Sequence, residues 1–150
     1  MAASNIVIKN KRAAHEYFLL QEFTAGIQLT GTEIKSIRDG KASIADAYCS
    51  FSGEELFIHN MHIAEYVLGT HYNHDPKRIR KLLLTKRELR KLLVKVKERG
   101  FTIIPTVLFI NERGLAKLTI ALARGKHSYD KRESLKQKDI QREIDRRSDH

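Results

Sequence analysis

The chain has no tryptophan, a single cysteine and two prolines in 150 residues. One cysteine, Cys49, excludes an internal disulfide and supplies no metal framework; it suits a reducing compartment. Without tryptophan, aromatic packing rests on six Phe and five Tyr. Long apolar runs are missing too. LLVKV is far too short to span a bilayer, and MAASNIVIKN lacks the basic start and apolar stretch of a secretory signal, so a soluble cytoplasmic protein is expected. No internal repeat, phosphate-binding loop, dinucleotide fingerprint or serine elbow is present. TGTE, residues 30–33, lacks the lysine and glycine spacing of a phosphate loop.

What the chain has is uneven positive charge. The net is +10, yet residues 1–70 sum to −2 while residues 71–100 reach +8, with 11 basic against 3 acidic side chains. Residues 101–123 add +1 and residues 124–150 add +3. A concentrated basic surface attracts polyanions and speeds their capture, and nucleic acid is the favoured partner. Anionic membrane or an acidic protein would satisfy charge alone.

The length suits one domain. Residues 1–13 form a basic lead. HEYFLLQEFTAGIQL, 15–29, reads as a long strand, bent or bulged near Ala25-Gly26. Thr30 and Glu33 have capping-box spacing for a short helix that buries Ile34 and Ile37 and stops at Gly40. Residues 44–51 and 56–63 read as strands joined by the turn Ser52-Gly53-Glu54-Glu55. Residues 69–78 read as a loop and 80–84 as a short strand. TKRE again has capping-box spacing; Leu89, Leu92, Leu93 and Val96 make one helical stripe, with basic residues outside it and Gly100 as the stop. Residues 101–110 and 115–123 pair around NERG, with Pro105 marking an edge or bulge. The sum is a mainly β fold: a small antiparallel, oligonucleotide-binding-type barrel of about six strands with packed helices. Residues 1–124 form this barrel domain. Residues 125–150 form a mixed-charge tail too poor in apolar residues to fold alone, disordered when free and helical when bound.

His59 and His62, like His71 and His74, are three apart, a spacing that sends strand side chains to opposite faces; no metal site is expected. Cys49 lies among apolar residues and reads as structural, and nothing points to a catalytic group or a cofactor. Glu33 is either the helix-cap partner or an acceptor for base edges. Asn10, Lys11, His15 and Tyr17 are either a solvated strand start or polar, phosphate and stacking contacts to looped RNA. Lys77, Arg78, Arg80 and Lys81, with the basic surface of the helix that starts at Thr85, read as phosphate contacts, although each alone could be a solvated charge. Tyr129, where the tail begins, is open between the two readings.

Four segments carry a specific resemblance: NKRAAHEYF, 10–18; AGIQLTGTEIKSIRDGKASIADAY, 25–48; NHDPKRIRKLLLTKREL, 73–89; and GKHSYDKRESLKQKDIQREIDRR, 125–147. They resemble the SsrA-binding (SmpB) family, which binds transfer-messenger RNA in bacterial ribosome rescue. The resemblance implies a protein, expected to be monomeric, that takes the transfer-RNA-like domain of that RNA to a stalled 70S ribosome. Its tail would occupy the decoding region and the empty message channel, with no reaction catalysed and no membrane involved. It implies that Asn10, Tyr17, Glu33 and the segment holding Asn73, His74, Lys77, Arg78, Arg80 and Lys81 belong to the RNA-facing body, and that Lys126 opens the tail. It implies a ribosomal role for Asp130, Lys131 and Arg132, and ribosomal RNA contacts for Lys138, Arg142, Arg146 and Arg147. Three positions depart from the family pattern. His127 stands where a second lysine is common, Ile140 where an aromatic is frequent, and Glu65 where proline is common.

Overall fold

Alternation in the first third of the chain makes one long strand that organises the rest. The computed structural model describes residues 6–68, 73–98 and 100–126. In chain order the elements are β1 (Val7–Lys9), α1 (Ala13–Glu16), β2 (Tyr17–Ile27), α2 (Gly31–Arg38), β3 (Ala42–Ser43), β4 (Tyr48–Ser52), β5 (Glu55–His59), β6 (His62–Ile63), β7 (Arg80–Leu83), α3 (Lys86–Val96), β8 (Phe101–Ile110) and β9 (Ala116–Gly125). Six strands close a ring in the order β8-β4-β5-β7-β2-β9, with β9 returning to β8 and every pairing antiparallel. This is the expected barrel of about six strands. β1 adds to β8 outside the ring, and β3 pairs with β6 as a separate ladder. These three strands have only two or three residues each, too few for alternation to reveal.

Inside the ring, Phe23, Ala25 and Ile27 of β2 meet Leu56, Ile58, Leu82, Ile103, Leu108, Leu118 and Ile120. A smaller cluster of Ala13, Ile104 and Ala123, with Tyr17 and Leu19 against it, seats α1. The bend expected near Ala25-Gly26 lies elsewhere: the β2 register shifts between Leu19 and Gln21, leaving Leu20 exposed. Gly26 serves instead as a close-approach point, because a Cβ there would sit 3.4 Å from the Leu83 Cβ. The β4–β5 turn needs a left-handed residue, and Gly53 supplies it at φ 66°. The run 56–63 is not one strand; Asn60 adopts φ 62° and breaks it into β5 and β6.

Pro105 marks a bulge within β8, whose register to β9 shifts between Pro105 and Val107. α2 and α3 each carry a complete capping box, Thr30–Glu33 and Thr85–Glu88. α3 lays Leu92 into the core with Leu89 and Val96 beside it, leaving Arg87, Arg90, Lys91, Lys95 and Lys97 exposed. No helix among the described residues is long and apolar enough to cross a membrane.

Candidate nucleic-acid interface

Glu33 sits in the first turn of α2 with no exposed side-chain surface. Its Oε1 accepts from the Thr30 amide at 2.8 Å and Arg78 Nη2 at 2.7 Å. Its Oε2 accepts from Arg78 Nε at 3.0 Å and Arg80 Nε at 2.7 Å. Four hydrogen bonds saturate a carboxylate. The reading of Glu33 as a free acceptor for base edges is therefore corrected: it caps the helix and pairs two arginines. Burial alone would raise its pKa; the hydrogen bonds from Arg78, the Thr30 amide and Arg80, with the Arg80 charge, prevail and hold it at about 2.

Arg80 is also corrected. It is fully buried and cannot reach a phosphate from where it lies. Besides Glu33, its guanidinium donates to the carbonyls of Met61 at 2.8 Å and Pro76 at 3.2 Å. Arg80 and Leu82 share the inward face of β7, while Lys81 and Leu83 alternate outward. Arg78 differs. Its side chain is 37% exposed, and it grips Glu33 with two nitrogens while Nη2 also donates to the Gln28 carbonyl at 3.1 Å. Glu33 pushes the Arg78 pKa up, while burial pulls that of Arg80 down against the opposing pull of Glu33.

The segment before β7 is clipped from within. Asn73 accepts from the Tyr66 amide at 3.1 Å and donates to the Tyr66 carbonyl at 2.8 Å. His74 is buried, its Nε2 donating to the Ile63 carbonyl and its Nδ1 accepting from the Thr32 hydroxyl, both at 2.9 Å. Both ring nitrogens are thus occupied, so His74 places the loop and is not free to touch RNA. Lys77 is exposed, on a turn that Asp75 closes by accepting from the Lys77 amide at 2.9 Å. Lys81 meets Glu55 at 2.7 Å in a solvated pair, which leaves its charge open to competition.

A second group gathers around α1. Asn10 is buried; its Nδ2 donates to the Pro105 carbonyl at 2.9 Å and its amide to the Thr106 carbonyl at 2.8 Å. It fastens the lead to the β8 bulge. Lys11 and His15 are exposed and Tyr17 is half-buried. Lys126 Nζ donates to the Ala14 carbonyl at 2.9 Å and lies 5.3 Å from the Phe18 ring centroid. β2 begins at Tyr17 in this group and ends beside Gln28, which Arg78 reaches. Eleven strand residues place the two groups about 30 Å apart along the chain path.

Sequence reasoning missed Thr32 behind His74; it took Arg12 only as part of the basic lead and His59 only as a metal candidate, and it gave Asp46 and Tyr48 no role. Alternation signals Tyr48, since it precedes the buried Cys49 and faces outward. Burial raises the Cys49 thiol far above its usual range, in keeping with a packing role. Among the described residues no three His, Cys, Asp or Glu side chains gather as metal ligands. Tyr129, Asp130, Lys131, Arg132, Lys138, Arg142, Arg146 and Arg147, with the departures His127 and Ile140, lie outside the described residues.

Comparison with known proteins gives one consistent result. The family model for SmpB protein matches residues 7–150. The SsrA-binding protein of Parabacteroides distasonis is 60% identical over 144 residues, 96% of this chain and 94% of that one. Its counterpart in Phocaeicola vulgatus is 62% identical over 146 residues, 97% of each chain. A chain solved under the description "tmRNA-SmpB: a journey to the center of the bacterial ribosome" superposes with a TM-score of 0.69 at 48% identity, covering 81% of this chain and 85% of that one.

Proposed function

This chain belongs to the SmpB family, and we propose that it binds the transfer-RNA-like domain of transfer-messenger RNA and delivers it to stalled ribosomes. It acts as a non-catalytic adaptor in the cytoplasm, as a monomer, and the ribosome forms the peptide bond. The observation that carries this reading is the family match, unbroken from residue 7 to residue 150. The geometry agrees with it: two polar and basic groups at opposite ends of β2 suit a large folded RNA better than a small ligand.

Within this reading the site residues divide by reach. Lys11, His15, Tyr17, Lys77, Arg78, Lys81 and Lys126 contact RNA from exposed or half-buried positions. Asn10, Glu33, Asn73, His74 and Arg80 act through others, because their polar atoms are engaged within the protein. Residues 1–124 serve as the RNA-binding body. Residues 125–150 serve as the ribosomal tail, with Tyr129, Asp130, Lys131, Arg132, Lys138, Arg142, Arg146 and Arg147 facing the decoding site and the empty message channel.

The test is competition between the transfer-RNA-like domain and ordinary transfer RNA, measured across salt concentrations. The expected result is a preference of about tenfold or more, worth about 1.4 kcal/mol, at every salt. Equal affinity throughout would overturn specific recognition.

A further inference from the structure

Between α1 and the start of β4 lies a groove of about 350 Å³ that the roles above do not use as a whole. Thr102 and Ile104 of β8 line it, with Tyr17 from the α1 side and Tyr48 from β4. Arg12 and Asp46 line it too and are joined by an ion pair at 3.0 Å. Tyr48 is 43% exposed. Behind it, across the β4–β5 ladder, the His59 ring lies nearly parallel, with centroids 5.0 Å apart and an interplanar angle of 9°. The Ser50 hydroxyl meets His59 Nε2 at 2.8 Å and holds that ring in place.

We propose that this groove takes one unpaired RNA base, stacked on the Tyr48–His59 platform, with the phosphate of the same nucleotide on Arg12. The proposal rests on the RNA-binding reading and assigns it a specific subsite. Three features support it. Tyr48 is already half of a two-ring stack, so a base on its accessible surface extends an ordered pile at little cost in side-chain freedom. The volume lies at the small end of the range for ligand pockets, which suits a single nucleotide. The ion pair is weak, because both partners are largely exposed at 62% and 77%, so a phosphate competes with Asp46 for Arg12. Once released, the Asp46 carboxylate accepts hydrogen bonds, as does Glu16 on the same groove, and the exposed edge of an unpaired base carries N–H donors that fit them. A peptide would fit less well, since the groove is short and has aromatic walls with mixed charge at its rim.

The test uses the full chain and transfer-RNA-like domain RNAs carrying 2-aminopurine at single unpaired positions. Wild-type protein should quench one position selectively. Tyr48→Phe should keep that quenching and bind within about twofold of wild type. Tyr48→Ala should lose the quenching and bind about tenfold more weakly. Arg12→Gln, at an exposed position whose side chain pairs with the exposed Asp46, should weaken binding and flatten the salt dependence by about one charge. If wild type binds tightly while Tyr48→Ala and Arg12→Gln match it and no position responds to Tyr48, the groove is not a base site, although the RNA-binding reading stands. If wild type shows no binding preference for this RNA, both fall.

Discussion

Glu33 and Arg80, neither with any exposed side-chain surface, meet at 2.7 Å and join the first turn of α2 to β7. The contact locks a helix cap to a strand and, through Arg78, reaches the surface. Removing one member leaves buried charge unpaired, which typically costs 3–5 kcal/mol. Glu33→Gln should therefore lower unfolding stability by about 3 kcal/mol or more at pH 7, measured by urea titration.

The same pair sets an acid dependence. The Glu33 pKa is lowered from 4.5 to about 2 by Arg78, the Thr30 amide and Arg80, against the effect of burial. A depressed carboxylate contributes stability fully above its unfolded value and loses it as pH falls through the folded one. Wild type should thus lose about 3 kcal/mol from this group as pH falls from above 4.5 to below 2. Glu33→Gln should lack that component, so the stability gap between the two proteins should narrow in acid. A constant gap would contradict the assignment.

Two neighbouring arginines should separate cleanly. Arg80→Met removes a fully buried cation and leaves Glu33 with Arg78 as its one ionic partner among the described residues, so stability should fall while RNA affinity per folded molecule stays near wild type. Arg78→Ala removes a 37% exposed group and should lower RNA affinity and its salt slope, with the smaller loss of stability. Denaturant titration and salt-dependent binding on both variants decide this.

Ser36 Oγ is a buried side-chain polar atom with no hydrogen-bond partner among the described residues. Ser36→Ala should raise stability by roughly 1 kcal/mol, since it removes an uncompensated hydroxyl from a helix interior and improves helix propensity. Thermal unfolding would show it as a higher Tm.

Local chemistry carried much of the fold in readable form. Thr30–Glu33 and Thr85–Glu88 announced two helix starts, Gly53 announced a hairpin turn, and Pro105 announced a bulge. What escaped were consequences of long-range pairing. β1 exists because β8 offers it an edge, and Asn10 is buried because a proline carbonyl 95 residues away needs a donor. Basic residues 77–81 looked alike as charges, yet Arg80 points inward and Lys81 outward. The alternation of Arg80 with Leu82 held that signal, and net charge masked it. Tyr48 and Arg12 escaped because the groove joins segments more than thirty residues apart.

A truncation after Lys126 should separate binding from delivery. Lys126 is tied to Ala14 and lies over Phe18, so a cut after it keeps the described body intact. Binding to the transfer-RNA-like domain should stay within a few-fold of wild type, measured by filter retention, while tagging on stalled ribosomes should be lost. Full tagging by the truncated chain would contradict a ribosomal role for the tail.

The most direct measurement of the central claim is reconstituted tagging. Ribosomes stalled at the end of a truncated message are supplied with alanyl-charged transfer-messenger RNA, with and without this protein. Transfer of the nascent chain to the RNA is expected only when the protein is present. Equal transfer in its absence, or none in its presence, would contradict that claim.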